Sequence, residues 1–261
     1  MEKLLVIKIG GNIIDDDKKL SSFLQAFAKL EGKKILVHGG GKLATKLADQ
    51  LGIRQQLIDG RRITDGETLK IVTMVYAGYI NKYIVAKLQA LGCNASGICG
   101  ADGNAVRAHK RIHPSIDYGF VGDVDEINSL FLENLLKSGG AIVLAPITHN
   151  GEGQLLNTNA DTIAQEVARA LSAAFEVRLI YSFEKNGVLL DINDENSVIK
   201  EINPSSYKQL KQQQAIFAGM LPKLENAFTA LNHGVRKVII GKAEDLQQLI
   251  AGQAGTTIVN E

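Results

Sequence analysis

Short apolar segments of strand length alternate with longer amphipathic segments along nearly the whole chain, and this order restricts the possible folds more than any other feature. Residues 4–9 and 34–38 form compact apolar runs that are typical of buried strands. Residues 20–30 and 43–51 carry apolar side chains at the spacing of an amphipathic helix. Such alternation favours a mainly parallel sheet with helices on both faces, so the sequence predicts an α/β fold.

The same alternation continues to the end of the chain. A single long helix is predicted over residues 67–91, and the polar, glycine-rich residues 100–125 favour short hairpins. No linker rich in proline or serine interrupts the order, so we expect two lobes that share one continuous sheet, with any boundary near residues 172–175. Further strands are predicted at 93–98, 141–145, 177–181 and 237–240, and further helices at 127–137, 158–171 and 220–232, before a closing helix and strand.

Charge and composition exclude several classes of function. The 261 residues include 29 basic and 28 acidic side chains, and the formal net charge of +1 argues against a protein that coats nucleic acid or an anionic membrane. A hydrophobic share of 45% is enough to fill a core. Lys8 interrupts the first apolar run and no stretch reaches membrane-spanning length, so neither an export signal nor a membrane span is expected. Two cysteines make no disulfide framework, which predicts a cytoplasmic protein.

Glycine is abundant, with 26 residues, and two of its clusters follow predicted strands. Gly10 and Gly11 come after the first strand, and residues 39–41 separate the second strand from a helix. Ligands of open α/β sheets bind at the carboxyl ends of the strands, where glycine N–H groups before a helix can converge on an anion. The clusters match neither a P-loop nor a dinucleotide-binding fingerprint. They favour an anion site, and two ordinary turns are the alternative.

Two further segments carry polar residues that a structural role explains poorly. Lys223 follows Pro222 in the first turn of a predicted helix, where the helix dipole disfavours a cation. A contact with phosphate would explain this lysine, and an ordinary surface position is the alternative. Asn157, Asn159 and Asp161 precede another helix, and capping accounts for only one of the three.

Two basic or metal-binding patterns carry a weaker signal. Arg61 and Arg62 are adjacent and could grip a carboxylate, or could belong to a solvated turn. His109 and His113 have the i, i+4 spacing of metal ligands. The accompanying glutamate is missing, however, and two basic residues between them would repel a cation, so no protein-bound metal is expected.

Five of these segments, taken in order and spacing, resemble the amino acid kinase family over essentially the whole chain. The resemblance implies a three-layer α/β/α sandwich around a mainly parallel central sheet that is shared by two lobes. It places the acyl-amino-acid site and the dimer contacts in residues 1–173, and the nucleotide site in residues 174–261. The segments are residues 8–11 (KIGG), 37–41 (VHGGG), 60–64 (GRRIT), 156–161 (LNTNAD) and 219–223 (GMLPK).

Within the family, the sequence is most similar to members that use ATP to phosphorylate the γ-carboxylate of N-acetyl-L-glutamate in arginine synthesis. The resemblance implies a cytoplasmic homodimer, with ATP as co-substrate and Mg²⁺ bound through the nucleotide phosphates. By motif, Lys8 and Lys223 would flank the transferring phosphoryl group, and Asp161 would position both lysines. The other implied contacts are Gly40, Gly41, Arg62 and Asn157 with the amino acid, and Gly10, Gly11, Ser182, Phe183, Gly187, Phe217 and Gly219 with the nucleotide.

Departures from the family pattern leave some details open. Residues 181–188 are longer than the usual nucleotide-binding turn and lack its aspartate. Tyr76 and Tyr79 stand in the helix that would line the acyl pocket, where smaller residues are common, so a longer acyl group such as succinyl is an alternative to acetyl. The acceptor could also be glutamate, aspartate, carbamate or UMP. A non-catalytic amino acid sensor is the alternative from another class, and the three charged motif residues speak against it.

Overall fold

A computed structural model describes residues 1–58, 61–191, 193–213, 216 and 220–260. The strands it contains are β1 (Glu2–Ile9), β2 (Lys33–His38), β3 (Leu57–Ile58), β4 (Arg61–Arg62), β5 (Ala95–Cys99), β6 (Val106–Lys110), β7 (Val121–Ile127), β8 (Ala141–Ala145), β9 (Ile147–His149), β10 (Leu155–Thr158), β11 (Phe175–Phe183), β12 (Glu201–Ile202), β13 (Lys237–Lys242) and β14 (Thr256–Ile258). Its helices are α1 (Gly11–Ile14), α2 (Asp17–Ala28), α3 (Gly41–Gln50), α4 (Gly66–Thr73), α5 (Asn81–Ala90), α6 (Ser129–Lys137), α7 (Ala160–Leu171), α8 (Pro204–Gln212), α9 (Leu221–Asn232) and α10 (Leu246–Ala251).

Eight of the strands form one central sheet in the order β12-β14-β13-β11-β1-β2-β8-β5. Every neighbouring pair in it is parallel except β13 with β14. Strand β1 lies between β2 and β11, so the sheet passes without a break from the first half of the chain to the second. This arrangement confirms the α/β class and the continuous sheet that the sequence predicts.

Helices cover both faces of the sheet, as the alternating side chains of β1 require. Leu4 and Val6 face a core that includes residues of α6, α7 and α9. Leu5 and Ile7 face a second core, which includes residues of α2, α3, α4, α5 and α10. Because both faces of the central strands are buried, these strands read as continuous apolar runs rather than as alternating ones. The molecule is therefore a three-layer α/β/α sandwich.

The long helix predicted over residues 67–91 needs a correction. The helical run extends from Gly66 to Ala90, but its middle, Met74–Ile80, is a π-helix between α4 and α5. Periodicity alone does not separate an α-helix from a short π segment, because both present apolar residues on one face. The wide turn brings Tyr76 and Ile80 against the backbone of Gly40, which is part of the candidate site described below.

A smaller barrel of four strands, β6, β7, β9 and β10, packs beside the central sheet. Strands β6 and β7 pair antiparallel, which confirms the hairpin expected within residues 100–125. The helix predicted to begin at Thr158 is wrong at its start: Thr158 ends β10, and α7 begins at Ala160 after the cap residue Asn159. Helix α8 was not predicted, because its surface-exposed sequence carries few apolar residues.

None of the helices in the described part of the chain is long and apolar enough to cross a membrane.

Candidate active site

The carboxyl ends of β1, β2 and β11 lie side by side at one edge of the sheet. Ile9 is in register with His38 of β2 and with Ser182 of β11. The first two glycine clusters therefore come together at this edge, as the strand-end rule predicts, with Ser182 and Phe183 beside them. Helix α3 starts directly at Gly41, so its amino end and its unpaired N–H groups face the same region.

Asp161 is the centre of the charged part of the site. Its Oδ1 lies 2.7 Å from Lys8 Nζ and its Oδ2 lies 2.7 Å from Lys223 Nζ. Lys8 comes from β1, Asp161 from the first turn of α7 and Lys223 from the first turn of α9. Three elements distant in sequence thus bring two cations to one carboxylate, and the cluster keeps a net charge of +1.

The ionisation of this cluster follows from its surroundings. Burial by itself would raise the pKa of the Asp161 carboxyl, but the ammonium groups of Lys8 and Lys223 outweigh that effect and hold its pKa well below the usual range. Asp161 is consequently an anion at any physiological pH. The ring of Tyr181 lies below Lys223, with 5.9 Å between Nζ and the ring centroid. This contact adds a second interaction that orients the lysine.

A pocket of about 180 Å³ opens beside the cluster, and the guanidinium of Arg62 lies in its wall. Arg62 Nη2 donates to Gly41 O at 2.9 Å and to Thr45 Oγ1 at 2.8 Å, and Nη1 donates to Gln55 Oε1. Asn157 also lines the pocket. The residues around it are Gly39, Gly40, Gly41, Leu57, Arg61, Arg62, Tyr76, Val121, Pro146, Asn157, Thr158, Asn159 and Ala160.

The three polar residues before α7 have three different environments. Asn159 caps the helix, because its side chain accepts from the N–H groups of Asp161 at 2.8 Å and Thr162 at 3.2 Å. Asn157 reaches the pocket and donates to Thr64 Oγ1 at 3.0 Å. Asp161 binds the lysines. Capping thus explains only one of the three, as the sequence predicts.

Tyr76 and Tyr79 lie in the helical run that is predicted to line the acyl pocket, and the two side chains have different environments. Tyr76 is buried in the pocket wall, and burial raises the pKa of its phenol although the Arg62 guanidinium acts in the opposite direction. Tyr79 is 60% exposed and stacks on Tyr83, with 5.5 Å between the ring centroids. The difference arises because the π-helix places the two tyrosines on different sides of the helical run.

The residues predicted to contact the nucleotide have different environments. Gly10 lies at the open edge of the sheet, where an added Cβ would meet no atom within 4 Å. A ligand can therefore approach the Gly10 backbone from outside. Ser182 is buried, and its Oγ has no hydrogen-bond partner within the described chain. Gly187 is packed instead, because an added Cβ would lie 2.7 Å from Thr256 Oγ1. Phe217 and Gly219 lie outside the described residues.

Some residues of the site carry no signal in the sequence. Thr45 and Gln55 hold Arg62 but lie 17 and 7 residues away from it along the chain. Asn12 Nδ2 donates to Glu184 Oε1 at 2.7 Å and so joins α1, which follows β1, to the segment that follows β11. These contacts depend on how the strands are ordered in the sheet, which local patterns do not reveal.

Glycine turns and two lysines meet at the carboxyl edge of a parallel sheet. This combination of fold and site is typical of α/β enzymes that bind phosphate groups. The chain belongs to the amino acid kinase family, which it matches over residues 3–242. It is 57% identical over 251 residues to the acetylglutamate kinase of Cytophaga hutchinsonii, covering 96% of this chain and 95% of that protein. It is 56% identical over 248 residues to the acetylglutamate kinase of Parabacteroides distasonis, covering 95% and 97% of the two chains.

A solved structure supports the fold. The N-acetylglutamate synthase of Neisseria gonorrhoeae superposes with a TM-score of 0.83 at 21% sequence identity. The superposition covers all of this chain and 60% of that longer one. At this level of identity the likeness extends to the fold alone.

Proposed function

We propose that this chain transfers the γ-phosphoryl group of ATP to the γ-carboxylate of N-acetyl-L-glutamate, which yields N-acetylglutamyl 5-phosphate in arginine synthesis. The observation that carries the proposal is the Lys8–Asp161–Lys223 cluster, with both ion pairs at 2.7 Å, beside a pocket walled by Arg62 and Asn157. The relatives that are more than half identical over nearly the full chain support the same reaction.

Charge is the main obstacle to this reaction. An anionic carboxylate must approach an anionic phosphate, so positioning and neutralisation supply most of the rate enhancement. Lys8 and Lys223 would lie on the transferring phosphoryl group and stabilise the negative charge on its oxygens. Asp161 would orient both lysines without itself taking part in proton transfer. No general base is required, because the attacking carboxylate is already ionised at neutral pH.

The amino acid would occupy the pocket. Arg62 would hold a carboxylate of the substrate, and its own hydrogen bonds to Gly41 and Thr45 fix the plane of the guanidinium in advance. Asn157 would donate or accept on the opposite wall, and backbone N–H groups at Gly40 and Gly41 would complete the site. Held in this way, the γ-carboxylate is directed at the lysine cluster.

The nucleotide would bind at the neighbouring part of the sheet edge. Gly10 and Gly11 would approach the phosphates, and the unpaired Oγ of Ser182 gives a buried hydroxyl that a bound ligand can satisfy. Mg²⁺ would be carried by the ATP phosphates, whose oxygens are hard ligands of the kind that this cation prefers. Bound in this way, Mg²⁺ would neutralise phosphate charge.

The proposal also assigns a different ligand to each part of the chain. Residues 1–173 would bind the acyl amino acid and form the contacts of a homodimer, and residues 174–261 would bind the nucleotide. The cellular site of the reaction would be the cytoplasm.

One observation favours a second substrate, an N-acyl-glutamate whose acyl group ends in a carboxylate, such as N-succinyl-glutamate. Arg61 lies in the pocket wall with Arg62, yet its guanidinium makes no hydrogen bond or ion pair with any described residue. The nearby Asp123 is already paired with Arg111 at 3.0 Å. Burial and the charge of Arg111 lower the pKa of Arg61, and the negative charge of a further anion in the pocket would offset both effects.

A coupled assay of ADP release tests the proposal. The purified chain would be given MgATP with N-acetyl-glutamate, N-succinyl-glutamate, glutamate or aspartate in parallel. We expect turnover with N-acyl-glutamates and little with free glutamate or aspartate. Turnover with the free amino acids alone would assign a different acceptor. If the folded protein binds an N-acyl-glutamate but releases ADP with none of the four compounds, it is an amino acid sensor instead.

A further inference from the structure

A line of hydrogen bonds runs beneath the glycine turn at residues 39–41 and is distinct from the groups that would touch substrate. His38, at the end of β2, and Asn81, at the start of α5, are both completely buried. Asn81 Nδ2 lies 3.3 Å from His38 Nε2, and His38 Nδ1 lies 2.8 Å from Gly39 O. Lys82 Nζ donates to Asn81 Oδ1 at 3.1 Å and to Gly97 O at 2.6 Å.

The chemistry of the partners fixes the direction of every bond in this line. Lysine is only a donor, so the Asn81 atom that faces Lys82 is the amide oxygen. The amide nitrogen then faces the opposite way, and its acceptors are Val143 O at 3.0 Å, the His38 ring at 3.3 Å and Ile98 O at 3.4 Å. An accepting Nε2 carries no proton, so the neutral His38 ring bears its proton on Nδ1 and donates it to Gly39 O.

The atoms packed around Asn81 and His38 restrict how these two side chains can be oriented. An added Cβ at Gly97 would lie 2.1 Å from Asn81 Oδ1, so only glycine fits opposite the amide. Asn81 follows the π-helix directly, and that helix presses Ile80 and Tyr76 against Gly40 from the same side. Gly40 itself has a φ of +151°, a conformation that side chains disfavour.

Holding the Gly39 carbonyl has a consequence for the next amide. A trans peptide is planar and its C=O and N–H point in opposite directions. A carbonyl that faces the buried His38 ring therefore turns the Gly40 N–H away from the core, and this N–H has no hydrogen-bond acceptor among the described residues. Gly40 lies in the wall of the pocket, where such a donor suits an anionic substrate oxygen.

We propose that His38 and Asn81 are a pair of positioning residues that orient the Gly39–Gly40 peptide so that the Gly40 N–H is presented to the acyl amino acid during phosphoryl transfer. This role rests on the proposed function, because it concerns the same pocket. Neither side chain needs to touch the substrate. Their effect passes through one peptide plane, and Lys82 fixes the orientation of the pair from outside.

The tautomer can be observed in the wild-type protein. Long-range ¹H–¹⁵N correlation spectra of the uniformly ¹⁵N-labelled chain resolve the two ring nitrogens of each of its five histidines. The His38 signals are assigned by their loss in His38→Asn. We expect a neutral ring with its proton on Nδ1 throughout pH 5.5–8. A proton on Nε2, or a charged ring in this range, would overturn the proposal whether or not the chain phosphorylates N-acyl-glutamates.

Two substitutions at the same position separate orientation from packing. An asparagine amide can replace Nδ1 and keep the bond to Gly39 O, whereas a glutamine amide reaches the position of Nε2 and loses it. We expect His38→Asn to retain kcat/KM for N-acetyl-glutamate within about threefold and His38→Gln to lose about tenfold or more, with KM for ATP unchanged in both.

The kinetic outcomes decide between the two roles. Equal losses in both variants, or losses that extend to KM for ATP, would mean that His38 only fills space, and unchanged kinetics in His38→Gln would mean that it positions nothing. Asn81→Leu is expected to reproduce the His38→Gln defect, and the double variant should be no worse than either single one. Additive losses in the double variant would mean that the two residues act independently, which would overturn their role as a pair. A wild-type chain without activity would instead reject the proposed function, and the spectra would still decide the tautomer.

Discussion

Lys8 and Lys223 bind opposite oxygens of one carboxylate, each at 2.7 Å, although one lies in the first strand and the other in a helix near the end of the chain. Asp161 thus holds two like charges close together that would otherwise repel each other. Both lysine side chains remain partly exposed at the sheet edge, so a bound phosphoryl group can reach them. The first prediction concerns this pair.

Lys8→Ala and Lys223→Ala should each lower kcat by a factor of about 100 or more, the scale of losing one donor to the transition state. Steady-state assays with N-acetyl-glutamate would measure this loss. Lys70→Ala is a matched control, because Lys70 lies on the surface of α4 and pairs with Glu67 of the same helix. Turnover near the wild-type rate in either cluster variant would remove that lysine from the proposed mechanism.

Arg62→Ala should act on the amino acid rather than on ATP. The guanidinium lines the pocket and is fixed by Gln55, Gly41 and Thr45, so its removal takes away a preformed carboxylate site. We expect KM for N-acetyl-glutamate to rise by about tenfold or more, with a smaller change for ATP. Arg62→Lys should not restore binding, because an ammonium cannot reproduce the planar set of donors. A variant in which ATP affinity suffers most would show that Arg62 belongs to the other site.

Much of this site could be predicted because it depends on local patterns. Glycines directly after apolar strands imply a ligand edge, and the order of strands and helices implies that those strand ends meet. The supports of the site could not be predicted in this way. Thr45 and Asn81 act only because β2, α3 and α5 pack together, and no residue spacing along the chain encodes that packing. One local pattern could have predicted the start of helix α8, namely the capping box formed by Asn203 and Ser206.

Arg61 should determine preference between acyl groups. If its guanidinium binds a carboxylate at the end of the acyl chain, Arg61→Leu should lower kcat/KM for N-succinyl-glutamate relative to N-acetyl-glutamate by about tenfold or more. Arg61→Lys keeps the charge and should retain part of the preference. Competition assays with both substrates give the ratio directly. An unchanged ratio in Arg61→Leu would leave Arg61 without a role in acyl recognition.

Gly40→Ala should disable the turn. A Cβ at this position would lie 2.2 Å from Ile80 Cδ1, and the backbone φ of +151° is strained for alanine. We expect both a lower melting temperature and a loss of activity of about tenfold or more, because the glycine amides would shift. Gly78→Ala is the matched control: it lies in the neighbouring π-helix, where an added Cβ meets no atom within 4 Å. Similar activity in the two variants would contradict a tight fit at Gly40.

The neutral His38 should make the protein less stable in mild acid. Burial, with Lys82 acting in the same direction, lowers the pKa of His38 from 6.5 to about 4 in the folded chain. The unfolded chain therefore takes up a proton first as the pH falls, so the stability present above pH 6.5 is lost progressively towards pH 4. This single group should cost about 2 kcal/mol of unfolding free energy between pH 7.5 and pH 5.

Urea unfolding at the two pH values would measure this cost. The window lies above the ordinary pKa of aspartate, so the Asp161 carboxylate stays ionised in both states and contributes little. His38→Asn removes the ionisable ring but keeps a donor to Gly39 O, and its free energy of unfolding should change less over the same range. An equal loss in the variant and the wild type would show that other groups cause the acid sensitivity. A smaller loss in the variant would assign it to the ring that orients the glycine turn.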